Sequence, residues 1–193
     1  MNDAREDKAP RYHEETARSV AKGLIIVNTG DGKGKSTAGF GMVLRSLGRG
    51  YKVAVVQFIK GKWITGETKA LKRFGRQIEV HTLGDGFTWE TQNLEQDKAT
   101  AKRAWKKCLE LIQSKGHRVL FFDELNYVLK YGFLSVEDVV SGLKEKDPKT
   151  HVILTGRDAP PEIIEMADLV TEMREIKHPY KSQKIKAQPG IEY

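Results

Sequence analysis

One cysteine, Cys108, is all that the 193 residues hold, so an internal disulfide framework is excluded. A chain that folds without disulfides fits a reducing compartment. No stretch approaches the ~20 apolar residues of a membrane-spanning helix. Met1 to Asp7 are charged and polar with no apolar segment behind them. No secretory signal is expected, and the cytoplasm is the expected location. Internal repeats and low-complexity segments are also lacking. What is present is 39% hydrophobic and 31% charged residues, enough for one domain with a real core and too little for two of ordinary size. Cys108 falls on the apolar side of a helical pattern and reads as a small core residue. The formal net charge of +7 raises the question of nucleic acid. The densest basic groups, Lys69-Lys72-Arg73-Arg76 and Lys102-Arg103-Lys106-Lys107, stand among acids on the outer faces of expected helices. They read as solvated faces, with no nucleic-acid partner expected. Positive potential also attracts small anions.

Such an anion has an obvious place to bind. Thr29-Gly30-Asp31-Gly32-Lys33-Gly34-Lys35-Ser36-Thr37 follows the apolar run Leu24 to Val27 and leads into a helical pattern. Strand, glycine loop and helix in that order form the setting of a phosphate-binding loop. Gly30, Gly32 and Gly34 let backbone N–H groups approach an anion that a Cβ would obstruct. The helix start adds unpaired N–H donors and the positive end of its dipole. Lys35 can reach phosphate oxygens, and Ser36 offers a hydroxyl to Mg²⁺. Thr29 departs from the glycine that opens the usual pattern. A nucleoside triphosphate is the expected ligand.

Along the chain, residues 1–22 read as a polar arm and 23–193 as the domain. Phe40, Val43, Leu44 and Leu47 mark the apolar face of a helix stopped by Gly48 and Gly50. Lys52 to Phe58 reads as a strand covered on both faces. A short helix around Glu67 to Phe74 and a strand at Ile78 to Leu83 follow. A long helix from about Asn93 to Lys115 buries Ala101, Ala104, Trp105, Cys108, Leu111 and Ile112, with Gly116 as its C′ residue. Arg118 to Phe122 is a buried strand ending in Asp123-Glu124. Ser135 caps a helix whose inner face is Val136, Val139, Val140 and Leu143. His151 to Thr155 is a strand, Pro160-Pro161 opens a short helix, and a last strand lies near Leu169 to Ile176. The fold class is therefore α/β: a single-domain, P-loop NTPase-like (RecA-like), mostly parallel sheet with helices on both faces. Ligands of such sheets gather at the carboxyl ends of the strands. There the phosphate loop, Gln57-Phe58, the Phe87/Trp89 loop, Asp123-Glu124 and Thr155-Gly156-Arg157 converge.

Asp123-Glu124 is the acidic partner that a phosphate loop requires, able to hold Mg²⁺ opposite Ser36. Glu124 is the stronger choice of the two. Arg157 can meet a phosphate or form a surface ion pair. Phe87 and Trp89, one residue apart on a glycine-preceded loop, either plug the local core or form an apolar wall for a flat ligand. The residues alone also fit a RecA-like ATPase acting on nucleic acid, or a nucleotide-binding regulatory module.

From Gly23 to Tyr193 the chain resembles the ATP:corrinoid adenosyltransferases of cobalamin biosynthesis and salvage, the subgroup with a phosphate-binding loop. The resemblance is carried by Thr29 to Thr37, Gly61 to Glu67, Gly86-Phe87-Thr88-Trp89-Glu90, Asp123-Glu124-Leu125, Thr155-Gly156-Arg157 and the ending Lys186 to Tyr193. Asp31 stands where asparagine is usual and Ser36 where threonine is usual; neither removes a needed functional group. The resemblance implies transfer of the 5′-deoxyadenosyl group of ATP to the cobalt of cob(I)alamin or another reduced corrinoid, with release of triphosphate. It implies that residues 29–37 and Arg157 bind ATP and that Phe87 and Trp89 pack under the corrin ring. It implies as well an electron-donating flavoprotein, since the chain has no flavin or iron–sulfur motif of its own. A homodimer and an N-terminal arm that closes over the corrinoid complete the expectation.

Overall fold

In the computed structural model, which describes residues 20–59, 65–84 and 93–192, six strands form one sheet in the order β3-β2-β4-β5-β1-β6. The strands are β1 (Ile25–Thr29), β2 (Val53–Gln57), β3 (Ile78–Thr82), β4 (Val119–Asp123), β5 (His151–Thr155) and β6 (Leu169–Glu172). Every pairing is parallel. The helices are α1 (Lys35–Gly48), α2 (Gly66–Leu71), α3 (Leu94–Ser114), α4 (Leu125–Lys130), α5 (Val136–Lys144), α6 (Pro161–Met166) and α7 (Pro179–Gln183), with a 3-10 segment at Lys72–Gln77. Among the described residues no helix is long and apolar enough to cross a membrane.

β1, β2 and β4 are buried at every position, as near-continuous apolar strands of a doubly covered sheet should be. Alternate residues serve opposite faces. Val53, Val55, Phe121 and Ile153 face Phe40, Val43 and Leu47 of α1. Ala54, Val56, Leu120, Phe122 and Leu154 face Ala104, Trp105, Cys108 and Ile112 of α3 and Val139 and Leu143 of α5. Phe40 meets Phe121 edge-on at 5.1 Å, and Trp105 meets Phe122 at 6.2 Å. Burying each such ring contributes about 1.5–3 kcal/mol, which fixes both helix layers on the sheet. Cys108 is fully buried, and burial pushes its thiol pKa up, so it is a core residue. Lys69, Lys72, Arg73, Arg76, Lys102, Arg103 and Lys106 are exposed.

Four sequence expectations need adjustment. Leu44 is 55% exposed and belongs to the outer face of α1. The left-handed residue ending α3 is Lys115 (φ 51), one position before Gly116. Its N–H bonds to Ile112 O, and the Gly116 N–H turns instead to Ser114 Oγ at 3.4 Å. The helix expected over 67–74 is α-helical only to Leu71, because Gly75 breaks the run that follows. β6 stops at Glu172, since Met173 gives its backbone to the phosphate loop. Two caps hold as expected: Ser135 Oγ accepts the Asp138 N–H at 3.1 Å, and Pro161 opens α6.

Candidate nucleotide site

The segment between β1 and α1 is a tight loop clamped from one side by the chain leaving β6. The Met173 N–H donates to Thr29 O at 2.8 Å, and the Gly32 N–H donates to Met173 O at 2.6 Å. A Cβ on Gly32 would lie 2.8 Å from the Met173 and Arg174 backbone, so only glycine fits there. Gly34 turns into α1 at φ 108, a conformation that favours glycine. Thr29, at the position where glycine is usual, is buried, and its hydroxyl accepts the Ala159 N–H at 3.1 Å. The substitution thus ties β1 to the chain after β5.

Lys35 opens α1 and is only 8% exposed. Its ammonium donates to Gly30 O at 2.8 Å and to Gly32 O at 2.6 Å, so it stands inside the loop's own turn. Burial lowers its pKa, the Glu124 carboxylate pushes it back up, and Arg157 adds a smaller push downward.

β4 ends in two carboxylates with different surroundings. Asp123 is fully buried; its Oδ1 accepts from Thr155 Oγ1 at 2.9 Å and its Oδ2 from Gln57 Nε2 at 3.2 Å. Glu124 takes a left-handed conformation (φ 65), and its N–H donates to Thr155 Oγ1 at 3.0 Å. That turn carries the Glu124 side chain to a cavity of about 500 Å³ that Gly34, Lys35, Ser36 and Thr37 also line. Ser36 and Glu124 thus offer hard oxygen donors to one space. Among the described residues no three His, Cys, Asp or Glu side chains could hold a metal together. A hydroxyl and one carboxylate, completed by phosphate and water oxygens, fit Mg²⁺ and do not fit a zinc cage.

Lys33 and Arg157 reach the same cavity. Arg157 Nε lies 3.9 Å from Asp31 Oδ1, and both side chains are exposed, a weak pair that a phosphate could displace. The remaining lining residues were not singled out as site residues from the sequence: Glu67, Tyr127, Ile191 and Glu192. Tyr127 comes one helical turn after Glu124, and its hydroxyl donates to Tyr131 at 3.2 Å. Burial and that neighbour push the Tyr127 pKa up, so the phenol stays protonated. Glu192 pairs with Lys33, bringing the C-terminal segment onto the phosphate loop. Glu67 and Glu192 lie in segments that carry the family resemblance, which was the available signal. Phe87 and Trp89 lie outside the described residues, as do residues 1–19 of the arm.

Residues 21–193 match the sequence model of a family described as ATP:corrinoid adenosyltransferase BtuR/CobO/CobP. The chain belongs to that family. It is similar to the corrinoid adenosyltransferase of Sinorhizobium sp., with 52% identity over 188 residues, 96% of this chain and 87% of the relative. The corrinoid adenosyltransferase of Pseudomonas aeruginosa is 42% identical over the full length of both chains. Against flagellar accessory protein FlaH from Methanocaldococcus jannaschii the TM-score is 0.55, with 14% identity over 80% of this chain and 72% of that one. At that identity the likeness is one of fold alone.

Proposed function

We propose that this transferase moves the 5′-deoxyadenosyl group of ATP to the cobalt of a reduced corrinoid, with inorganic triphosphate as the leaving group. The observation that carries this reading is one cavity lined by Lys35, Ser36 and Glu124 in a chain of the corrinoid adenosyltransferase family. Cob(I)alamin is the nucleophile: the Co–C5′ bond forms as the C5′–O bond breaks, and that bond's electron pair leaves on the triphosphate. The protein's task at the nucleotide is therefore to hold the triphosphate as a unit and stabilise its growing charge. Backbone N–H groups between Gly30 and Thr37, apart from the Gly32 N–H that is bonded to Met173 O, and the Lys35 ammonium serve this end, with Thr29, Asp31 and Lys33 shaping the loop. Lys35 exchanges its two carbonyl partners for phosphate oxygens, and Arg157 adds a forked contact. Ser36 and Glu124 would hold Mg²⁺, which neutralises phosphate charge when bound. Asp123, whose carboxylate is shared between Gln57 and Thr155, serves to position Glu124.

Phe87 and Trp89 supply the apolar wall beneath the corrin. By excluding the lower base and water from Co(II), such a wall makes its reduction easier, and the electron comes from a flavoprotein. The active form is a cytoplasmic homodimer whose residues 1–22 close over the corrinoid. An ATPase acting on nucleic acid is not favoured, since the basic groups that suggested it stand on exposed helix and turn positions mixed with acids. The test is incubation with ATP, Mg²⁺ and chemically reduced corrinoid: adenosylated corrinoid and triphosphate should appear together. ATP bound but not consumed, or consumed without adenosylated corrinoid, contradicts the reading.

A further inference from the structure

Among the residues that line the nucleotide cavity, Lys33, Lys35 and Arg157 are cations, and Glu67, Glu124 and Glu192 are carboxylates. Three carboxylates around a space for a polyanion need a reason. Glu124 has one, opposite Ser36. Glu67 stands in the first turn of α2. Glu192 is seated on a cation of the phosphate loop itself: Lys33 Nζ donates to Glu192 Oε2. The chain leaving β6 touches that loop twice. Its start clamps the backbone, through Met173 on Thr29 and Gly32. Its far end returns after α7, where Lys184 (φ 57) and Gly190 (φ 76) turn it. The Ile191 and Glu192 N–H groups both donate to Gln188 O, at 3.2 and 2.9 Å. That turn fixes the Glu192 backbone while its side chain, 17% exposed, lies against the exposed Lys33. An ion pair with one arm in solvent contributes little to folding, so it opens at small cost.

The chemistry of the leaving group gives the pair a role. When the C5′–O bond breaks, the oxygen that bridged to carbon keeps the electron pair and becomes a terminal phosphate oxygen. Free triphosphate is therefore more anionic than the triphosphate of ATP. A site made only of cations and N–H groups would grip the product more tightly than the substrate. We propose that Glu192 is a positioning residue that keeps Lys33 from committing its charge to the triphosphate, so that the leaving group departs once it is free. Paired, the two side chains are neutral together. Without Glu192, Lys33 is a full cation whose pull rises with the charge of the bound anion. This rests on the reading of the cavity as the triphosphate site.

The test measures the Kd of inorganic triphosphate and of ATP, each with Mg²⁺, on the full chain. Glu192→Gln keeps the shape of the side chain and removes its charge. It should tighten triphosphate by about fivefold or more, tighten ATP by less, and leave the thermal midpoint unchanged. In a Lys33→Met background the same change should do much less, because the cation that Glu192 restrains is gone; the four proteins form a double-mutant cycle. Triphosphate binding that Glu192→Gln leaves unchanged or weakens overturns the inference and leaves the function standing. So does equal tightening of triphosphate and ATP, or an equal factor in both backgrounds. Failure of wild type to bind either anion would defeat the functional reading itself, and this inference with it.

Discussion

The two rims of the sheet carry similar side chains and use them in opposite ways. At the amino ends, polar groups are spent on the backbone that enters the strands. Lys146 Nζ donates to Gly23 O at 2.8 Å, His151 Nδ1 accepts the Leu24 N–H at 3.1 Å, and Asp168 accepts the Ile25 N–H at 2.9 Å. Lys22 pairs with Asp168, and Glu79 joins His81 and His117. At the carboxyl ends the backbone turns sharply: Gly30, Gly34 and Gly156 have positive φ, and so do Glu124 and Asp158, where a side chain makes that conformation unusual. Lys35, Ser36 and Glu124 there line a cavity. Charge at one rim closes the fold, and at the other Lys35 and Glu124 face a shared cavity. The number of charged residues does not separate the two rims; what the charges face does.

That contrast breaks most directly at Lys35. Lys35→Ala should lower turnover by a factor of ~10²–10³ or more, the scale for removing a preorganised donor from developing charge. Its thermal midpoint should stay near wild type, because the lysine's hydrogen bonds go to two loop carbonyls, Gly30 O and Gly32 O. Steady-state kinetics with a melting curve checks both, and wild-type turnover would dissolve the distinction between the rims.

A somewhat smaller and conditional effect is expected at Phe87 and Trp89. Replacing either with Ala should readmit a base or water beneath Co(II). Activity should fall sharply when a mild protein reductant must make Co(I) in the site, and much less when preformed Co(I) is supplied. Equal losses under both conditions would assign the rings to general packing.

The smallest effect belongs to the amino rim, at His151. Burial lowers its pKa first, then Arg118 and Lys146. The unfolded imidazole, near pKa 6.5, therefore takes its proton before the folded one. The stability that His151 contributes is complete above about pH 6.5 and is lost as pH falls from there through the folded pKa. His151→Asn offers the Leu24 N–H an acceptor that does not titrate. Denaturant midpoints from pH 7.5 to 5 should fall less steeply for this variant than for wild type, with turnover at pH 7.5 unchanged. A parallel pair of curves would remove His151 from the account.

How legible this was in the sequence follows from what each feature depends on. Strands covered on both faces need long apolar runs, so Leu24–Val27, Val53–Val56 and Val119–Phe122 announced three of them. The order of the strands has no such local signal. β5 comes to lie between β1 and β4, which is why Thr155 meets Asp123 and Glu124. The phosphate loop was readable because its glycines and Lys35 are contiguous. Tyr127, Ile191 and Glu192 reach the cavity through a helix turn and a returning tail, where contact depends on tertiary placement. Leu44 misled because a helical period continues past the stripe that the sheet can cover.

The central claim is that this phosphate loop holds a leaving group instead of transferring a phosphoryl group. ATP labelled with ¹⁸O at the bridging 5′ oxygen tests it in one turnover with cob(I)alamin. The account predicts that the label leaves in intact triphosphate, one per adenosylated corrinoid formed. Label retained on the nucleoside, or orthophosphate and ADP as the stoichiometric products, would contradict it.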